Sequence, residues 1–217
     1  MLRLSFNRTP GAPLRVLCLG AHCDDIEIGC GGTVLRLIGE DPSTEFLWVV
    51  FSSNEARKAE ATACAEAFLA GAGKRDIRVL GFRDGFLPYS GAAVKDAFED
   101  LKRQFVPDLI LTHCRHDLHQ DHRMVNELTW NTWRDHLVLE YEIPKYDGDM
   151  GAPNVFVPLE APVVDRKIEA ILAGYPTQKG RQWFMDDTFR SLLRLRGMES
   201  NSPSRYAEAF YGRKSVL

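Results

Sequence analysis

Two short stretches of the sequence concentrate residues that can do chemistry. The first, "AHCDDIEIGCGG" at residues 21–32, contains His22, Asp24, Asp25 and Glu27. The second, "THCRHDLHQDH" at residues 112–122, contains four of the six histidines in the chain. Imidazole and carboxylate groups gathered in this way are typical of metal sites and of general acid–base catalysis. Scattered residues of solvated loops are the alternative, but they would not explain why five of the six histidines fall in two segments.

The spacing within each stretch suits a hydrolytic metal site. Catalytic zinc sites use three protein ligands and leave one position for water. Asp24 and Asp25 are neighbours, so their side chains should point apart, one toward a metal and the other toward its water. His119 and His122 are three residues apart at the start of a helical pattern, which puts both rings on one helix face. The spacing therefore predicts a metal, a base and an acid close together.

Four apolar runs are predicted to be the strands that carry these stretches. They cover residues 14–20, 45–53, 77–82 and 108–113, and they alternate with helical patterns that follow Gly31-Gly32 and that span 55–70 and 93–105. Near-continuous apolar strands separated by helices are typical of a mainly parallel sheet with helices on both faces. We therefore predict an α/β fold, a single Rossmann-like domain over residues 1–217. Both polar stretches directly follow strands and should meet at the carboxyl edge of the sheet.

The chain becomes less regular after the fourth strand, where prolines interrupt it. A further strand is predicted around "NVFVPL" (154–159), with helices near 164–174 and 182–195. Residues 141–150 and the segment "YPTQKGRQWF" (175–184) are expected to form variable loops over the crevice. Their aromatic residues either offer a sugar a flat apolar wall or pack into the core: Tyr141, Tyr146, Tyr175 and Trp183.

Composition limits the class of protein and its partners. The 217 residues carry a formal net charge of −3 and 45% hydrophobic residues, which is typical of a globular protein without broad affinity for nucleic acid or anionic membranes. The first 14 residues have no apolar signal-peptide core, and no segment reaches the roughly 20 apolar residues of a membrane span. Five scattered cysteines favour reduced thiols, so we expect a cytoplasmic protein. The sequence is compatible with a homo-oligomer and does not define the oligomeric state.

The two polar stretches resemble the motifs of the PIG-L/LmbE family of metal-dependent N-deacetylases. That family has a His-Pro-Asp-Asp-Glu loop after the first strand and a His-x-Asp-His motif after a later strand, similar to "AHCDDIEIGCGGT" and "HQDHR". Further similarity lies in "RKAEATACAEAFLAGAG", in "GFRDG" and in "SRYAEAF", so the resemblance covers most of the chain. It implies an α/β fold and hydrolysis of an N-acetyl group.

The resemblance also implies a role for individual residues. The three metal ligands would be His22, Asp25 and His122. Asp24 matches the general base, and His119 matches the histidine that stabilises the oxyanion or protonates the departing amine. Asp121 would orient a histidine from behind the metal ligands. Arg57 and Asp84 stand where family members hold sugar hydroxyls or the group attached to the sugar.

Two positions depart from the family pattern. Cys23 replaces the usual proline, which removes a fixed φ angle but no ligand. Cys23 could bind metal as a thiolate, although a small packed residue is the simpler interpretation. Ile26 stands where the family more often has glutamate, and Glu27 then becomes an acidic residue in the first turn of the following helix.

The activity implied is removal of acetyl from an N-acetylated sugar or glycoconjugate of the N-acetylglucosamine type, giving acetate and a free amine. The cofactor implied is one divalent metal, zinc first and Fe²⁺ as the alternative, because His/Asp ligands also accept Fe²⁺, Mn²⁺ or Co²⁺. An amidase acting on a related amide or a thiol conjugate would use the same residues. A phosphoesterase would need a second metal, for which His113, His116 and Asp117 are available, although these more simply brace the loop.

A nucleotide-binding module is the rival from another class. "GCGG" after the first strand could cradle a pyrophosphate at a helix N-terminus, or it could only shape a tight turn. The third glycine of the GxGxxG pattern is missing, and this alternative leaves His119 and His122 without a role.

Overall fold

The computed structural model describes residues 5–6 and 11–216, which form strands and helices in near-regular alternation. The elements are β1 (Arg15–Gly20), α1 (Asp25–Glu40), β2 (Glu45–Ser52), α2 (Glu55–Phe68), β3 (Lys74–Phe82), α3 (Gly91–Gln104), β4 (Leu109–His113), α4 (Gln120–Thr132), β5 (Leu137–Tyr141), β6 (Val155–Pro158), α5 (Ala161–Gly174), α6 (Asp186–Glu199) and β7 (Ala207–Gly212). Short 3₁₀ turns lie at Leu87–Ser90 and Pro176–Gln178.

The described strands form one mixed sheet in the order β3-β2-β1-β4-β5-β7-β6. The first five strands of that order pair in parallel, and β7 pairs antiparallel with both β5 and β6. The four strands predicted from apolar runs are all present, and β1 and β4 are neighbours. The α/β fold with a mainly parallel sheet is therefore confirmed.

Two buried clusters of apolar side chains cover the two faces of this sheet. On β1, Val16 and Cys18 belong to one cluster while Leu17 and Leu19 belong to the other, because alternate residues of a strand face opposite sides. The first cluster includes side chains of α1, α2, α5 and α6, and the second includes side chains of α3 and α4. The sheet is thus buried on both faces, as continuous apolar strands require.

The glycines after β1 lie inside a helix and do not form a turn. Helix α1 begins at Asp25, before the glycines, and not after Gly31-Gly32 as the sequence suggested. The reason is close packing: a Cβ at Gly29 would lie 2.2 Å from Cδ2 of Tyr141, and one at Gly31 would lie 2.5 Å from Cε1 of Phe68. Two predictions are therefore wrong: that these glycines form a turn that binds a nucleotide, and that they only shape a tight turn.

The second half of the chain differs more from prediction. Strands β5 and β7 were not predicted, whereas β6 and helices α5 and α6 match the expected strand and helices to within a few residues. The prediction about a signal peptide concerns residues that are largely outside the described part. Among residues 5–6 and 11–216, none of the helices combines the length and apolar character that a membrane crossing needs.

Candidate metal and catalytic site

The carboxyl ends of β1 and β4 bring the two polar stretches together, as predicted. His22 lies in the short loop between β1 and α1, and Asp25 is the first residue of α1. His113 ends β4, and His122 lies in the first turn of α4. Because β1 and β4 are paired in parallel, both loops leave the sheet at the same edge.

Three of the gathered atoms have the mutual distances of metal ligands. Nδ1 of His22 lies 3.0 Å from Nε2 of His122 and 3.3 Å from Oδ2 of Asp25, and Nε2 of His122 lies 3.5 Å from the same oxygen. Tetrahedral zinc with bonds of 2.0–2.1 Å separates its ligand atoms by roughly 3.3 Å. The three residues that the resemblance implied as ligands therefore fit one divalent metal.

A carboxylate holds the second ring nitrogen of each of these histidines. Nε2 of His22 lies 3.2 Å from Asp121, whose carboxylate also accepts the backbone N–H groups of Gly85 and Leu87. Nδ1 of His122 lies 2.8 Å from Asp117. Such contacts fix the tautomer and the ring orientation of metal-ligating histidines. Asp121 is thus placed to orient His22, and Asp117 has the same contact with His122, which sequence reasoning missed.

His113 lies directly behind the three ligand atoms. Its ring is buried, stacks on His122 at 3.9 Å between centroids, and its Nε2 is 3.1 Å from Oδ2 of Asp25. The same Nε2 accepts the backbone N–H of Ala21 at 2.9 Å. Overlapping sets of side chains place their possible ligand atoms within 4.8 Å of one another: His22, His119 and His122; Asp25, His113 and His122; His22, Asp84 and Asp121.

Electrostatics favour an ionised Asp25 beside a neutral His122. Burial opposes ionisation of Asp25, but His122, His113 and His22 outweigh it and lower the pKa of Asp25 well below its usual range. Burial and neighbouring His113 lower the pKa of His122 to about 4, so its Nε2 lone pair is available. For His22, burial is outweighed by Asp25 and Asp121, which raise its pKa, and a metal must displace that proton.

Asp24, adjacent to Asp25, contacts an arginine. Nη2 of Arg57 donates to Oδ1 of Asp24 at 2.9 Å, while Nη1 lies 3.8 Å from Asp84. Burial raises the pKa of Asp24 and Arg57 works against that rise. Asp84 is 62% exposed and its Oδ1 lies 3.3 Å from Nε2 of His22. Arg57 and Asp84 therefore form a bridge from Asp24 to the metal-ligand cluster.

His119 lies at the mouth of the site with its ring oriented by the backbone. Its Nδ1 accepts the N–H of Asp121 at 3.2 Å, so the neutral ring carries its proton on Nε2. Burial and the charge of His22 lower the pKa of His119, which favours this neutral form. Its ring centroid is 4.7 Å from that of His22 and 4.6 Å from that of His122.

Two residues that the sequence left open lie in the core behind this site. Burial raises the pKa of the Cys23 thiol to about 12, and its Sγ donates to the carbonyl of Ser52, so it does not act as a thiolate ligand. Glu27 is fully buried in the first turn of α1, where the Tyr175 hydroxyl lies 2.6 Å from its Oε1 and also contacts the carbonyl of Cys23. Burial raises the pKa of Glu27 to about 8.

The structure decides between alternatives that the sequence left open near the site. Tyr141 and Tyr175 are fully buried core residues and do not offer a wall for a sugar, whereas Tyr146 is 73% exposed and Trp183 is half-buried. The three candidates for a second metal do not gather either: His116 is exposed, lies beside Tyr211 and belongs to none of the described groups that could hold a metal. The aromatic side chains fill the core because β5 and the turn after α5 insert them there.

Comparison with known proteins identifies the family of this chain. The chain matches the PIG-L family, described as GlcNAc-PI de-N-acetylase, over residues 17–133, which span both polar stretches. The protein belongs to this family. A search of curated proteins found no match.

Three solved structures show the same fold. A conserved protein of Thermus thermophilus is 23% identical with a TM-score of 0.73, covering 94% of this chain and 96% of its own. N,N'-diacetylchitobiose deacetylase from Pyrococcus horikoshii is 22% identical, with a TM-score of 0.71 and coverage of 92% and 83%. The 4-carboxy-2-hydroxymuconate hydratase of Pseudomonas putida is 18% identical, with a TM-score of 0.71 and coverage of 94% and 98%.

Proposed function

We propose that this protein is a metal-dependent hydrolase that removes the acetyl group from an N-acetylated sugar of the N-acetylglucosamine type. The observation that carries the proposal is the set of ligand atoms on His22, Asp25 and His122, spaced 3.0–3.5 Å apart, with Asp24 beside them. Membership of a family described by de-N-acetylation supports this reaction. The products are acetate and a free amine.

A divalent metal held by these three residues supplies a Lewis acid and makes water nucleophilic at neutral pH. Asp24 takes the proton of the attacking water. It is suited to this task because it is nearly buried and oriented by Arg57, and because burial raises its pKa toward the working pH. Asp25 does not share the task, because its carboxylate is one of the three proposed metal ligands and neighbouring histidines lower its pKa, which makes it a weak base.

His119 stabilises the charge that develops on the acetamide oxygen. Its Nε2–H is the free donor, because Nδ1 is occupied by the backbone N–H of Asp121. A fixed donor of this kind is typically worth roughly 3–4 kcal/mol in the transition state. The proton that Asp24 has taken is then available for the departing amine, which cannot leave as an anion.

Zinc is the proposed metal, with Fe²⁺ as the alternative. Two imidazole nitrogens and one carboxylate oxygen suit zinc in hydrolases, and the same set accepts Fe²⁺. All five cysteines are free and buried, which supports a reducing compartment, and we expect the cytoplasm.

The test is acetate release from N-acetylglucosamine and N,N'-diacetylchitobiose before and after removal of metal with a chelator. We expect acetate in equal amount to free amine, its loss after chelation, and its return when zinc or Fe²⁺ is added. Acetate release that persists in rigorously metal-free protein would contradict the proposal. If a related amide or a thiol conjugate is cleaved faster than every N-acetyl sugar, the metal-dependent hydrolase stands but its proposed substrate class is wrong.

A further inference from the structure

A hydrogen bond from the second half of the chain reaches the backbone of the loop between β1 and α1. The hydroxyl of Tyr175 donates to the carbonyl of Cys23, which lies between His22 and Asp24. Among the residues that the structure describes, no backbone N–H is bonded to this carbonyl. Cys23 is 1% exposed, and a buried carbonyl without a partner is costly. Tyr175 therefore supplies the partner that this carbonyl needs.

A second contact of the Tyr175 hydroxyl is consistent with this direction of donation. Its oxygen also lies 2.6 Å from Oε1 of Glu27. A phenol has one proton and a backbone carbonyl can only accept, so the proton of Tyr175 goes to Cys23 and the carboxyl group of Glu27 is the donor in the second contact. Glu27 is fully buried, and burial raises its pKa to about 8, which agrees with a protonated carboxyl group.

The turn that carries Tyr175 is fixed by contacts with α2. Tyr175 directly follows α5, and a Cβ at Gly174 would lie 2.8 Å from Sγ of Cys64, so α5 ends in close contact with α2. In the 3₁₀ turn that follows, Thr177 donates to Glu60 through its backbone N–H at 2.9 Å and through its hydroxyl at 2.6 Å. The Tyr175 ring itself is fully buried in the core. The hydroxyl is therefore held in one place beside the loop.

The bond to the Cys23 carbonyl acts on the proposed base and on the ligands beside it. A peptide unit is planar, so a held carbonyl fixes the rotation of the unit that joins Cys23 to Asp24. The carboxylate of Asp24 accepts from Nη2 of Arg57 at 2.9 Å, which holds the other end of this residue. The N–H of His22 donates to Oδ2 of Asp25 at 2.6 Å. A rotation at Cys23 would therefore shift the base and both of these proposed ligands.

We propose that Tyr175 is a positioning residue: its hydroxyl holds the Cys23 carbonyl and thereby sets the place of Asp24 and of the neighbouring metal ligands. Cysteine does not fix its own φ angle as proline would, so the rigidity of this loop must come from contacts with other elements. The inference rests on the proposed function for the role of Asp24. Its effect on the metal site can be measured without turnover.

The first test is zinc affinity, measured by competition with a chelator, for wild type, Tyr175→Phe and Tyr211→Phe. Phenylalanine keeps the ring and removes only the hydroxyl. Tyr211→Phe is the matched control, because the Tyr211 hydroxyl donates to Glu142 at 3.1 Å and does not contact the loop. We expect Tyr175→Phe to bind zinc about tenfold more weakly, as is typical when a residue that orients ligands is lost, and Tyr211→Phe to bind it as wild type does.

A second variant guards against a folding defect. Circular dichroism of the metal-free proteins, at the temperature of the titration, checks that each variant is folded. Glu60→Ala removes both bonds that hold the turn at Thr177 but keeps the Tyr175 hydroxyl, so zinc affinity should fall in the same direction by a smaller factor. If Tyr175→Phe is unfolded, Glu60→Ala decides alone. Wild-type zinc affinity in the folded variants would overturn the inference.

Acetate release from N-acetylglucosamine at saturating zinc separates this inference from the proposed function. We expect kcat of Tyr175→Phe to fall by roughly tenfold or more while KM stays near that of wild type, because a displaced base slows the chemical step without weakening substrate binding. Weaker zinc binding by Tyr175→Phe, with no acetate released by wild type, would support the positioning of the metal site and contradict the deacetylase. Zinc affinity and acetate release equal to those of wild type would overturn the positioning role and leave the deacetylase standing.

Discussion

At the scale of single residues, the candidate site depends on carboxylates that do not touch the substrate. Asp117 accepts from Nδ1 of His122 at 2.8 Å, accepts the backbone N–H of His119 at 2.8 Å and lies 3.0 Å from Nζ of Lys145. Burial opposes its ionisation, but the hydrogen bond with His122 lowers the pKa of Asp117 to about 2. It is therefore a permanent anion that holds the His122 proton on Nδ1.

Asp117→Asn should weaken metal binding without unfolding the protein. The amide keeps the size of the side chain but loses the charge that orients His122, and losses of about 10–100-fold in metal affinity are typical of such changes. Asp135→Asn is the matched control, because Asp135 makes the same contact with His136 at 2.9 Å on the surface. Zinc affinity measured by competition with a chelator checks the prediction, and equal affinities for both variants would contradict it.

Asp24→Asn should separate catalysis from metal binding. The amide can still accept from Arg57 but cannot take a proton, so kcat should fall by roughly 10²–10⁴-fold. The metal content should stay that of wild type, because Asp24 is not among the proposed ligands. Acetate release measured beside metal analysis checks both statements. Near-normal kcat would show that another residue is the base.

At the scale of elements, helix α1 shows how packing decides the role of glycine. Gly29 and Gly39 both lie within α1, but a Cβ at Gly29 would lie 2.2 Å from the Tyr141 ring, whereas nothing lies within 4 Å of one at Gly39. The Tyr141 hydroxyl donates to the carbonyl of Leu19 at 2.6 Å, so the ring cannot move freely. The close approach of α1 to β5 therefore requires glycine at position 29.

Substitution of these two glycines by alanine should act in opposite directions. Gly39→Ala should stabilise the protein by up to about 1 kcal/mol, because alanine is the better helix former. Gly29→Ala gains the same propensity but forces overpacking, which typically costs about 1–3 kcal/mol. Urea denaturation of both variants measures the free energies of unfolding. A Gly29→Ala variant as stable as Gly39→Ala would contradict the packing account.

At the scale of the whole molecule, a buried ion pair links the two halves of the chain. Nζ of Lys167 on α5 donates to Glu208 on β7 at 2.6 Å and to the carbonyl of Ile28 in α1 at 2.7 Å. Glu208 also accepts the backbone N–H groups of Gly32 and Thr33. Lys167 and Glu208 are each 2% exposed, so neither charge has water as a substitute partner.

Lys167→Met should destabilise the fold far more than loss of a surface ion pair. The change leaves Glu208 buried without a cation, for which about 3–5 kcal/mol is typical. Lys95→Met, which removes the partly exposed pair with Glu99, should cost about 0–1 kcal/mol. Denaturant unfolding of the two variants gives the comparison. A difference of less than about 1 kcal/mol between the two variants would contradict it.

The sequence predicted what depends on local pattern and missed what depends on long-range packing. Continuous apolar runs identified four parallel strands and placed His22 and His122 at one edge. Strand β5 is only five residues long, and β7 joins the sheet from the far end of the chain, so their pairing left no local signal. The glycines suggested a turn because the contacts of Tyr141 and Phe68 with α1 are invisible in the sequence. The contact of Asp117 with His122 required the loop geometry.

The central claim is that His22, Asp25 and His122 hold one divalent metal. The most direct measurement is metal content by plasma mass spectrometry of anaerobically purified wild type, His122→Ala and His136→Ala. His136 is the one histidine outside the two polar stretches and is the matched control. We predict about one zinc or iron per chain in wild type and in His136→Ala, and its loss in His122→Ala. Wild type without metal after reconstitution with zinc or Fe²⁺, or metal fully retained in His122→Ala, would contradict the site.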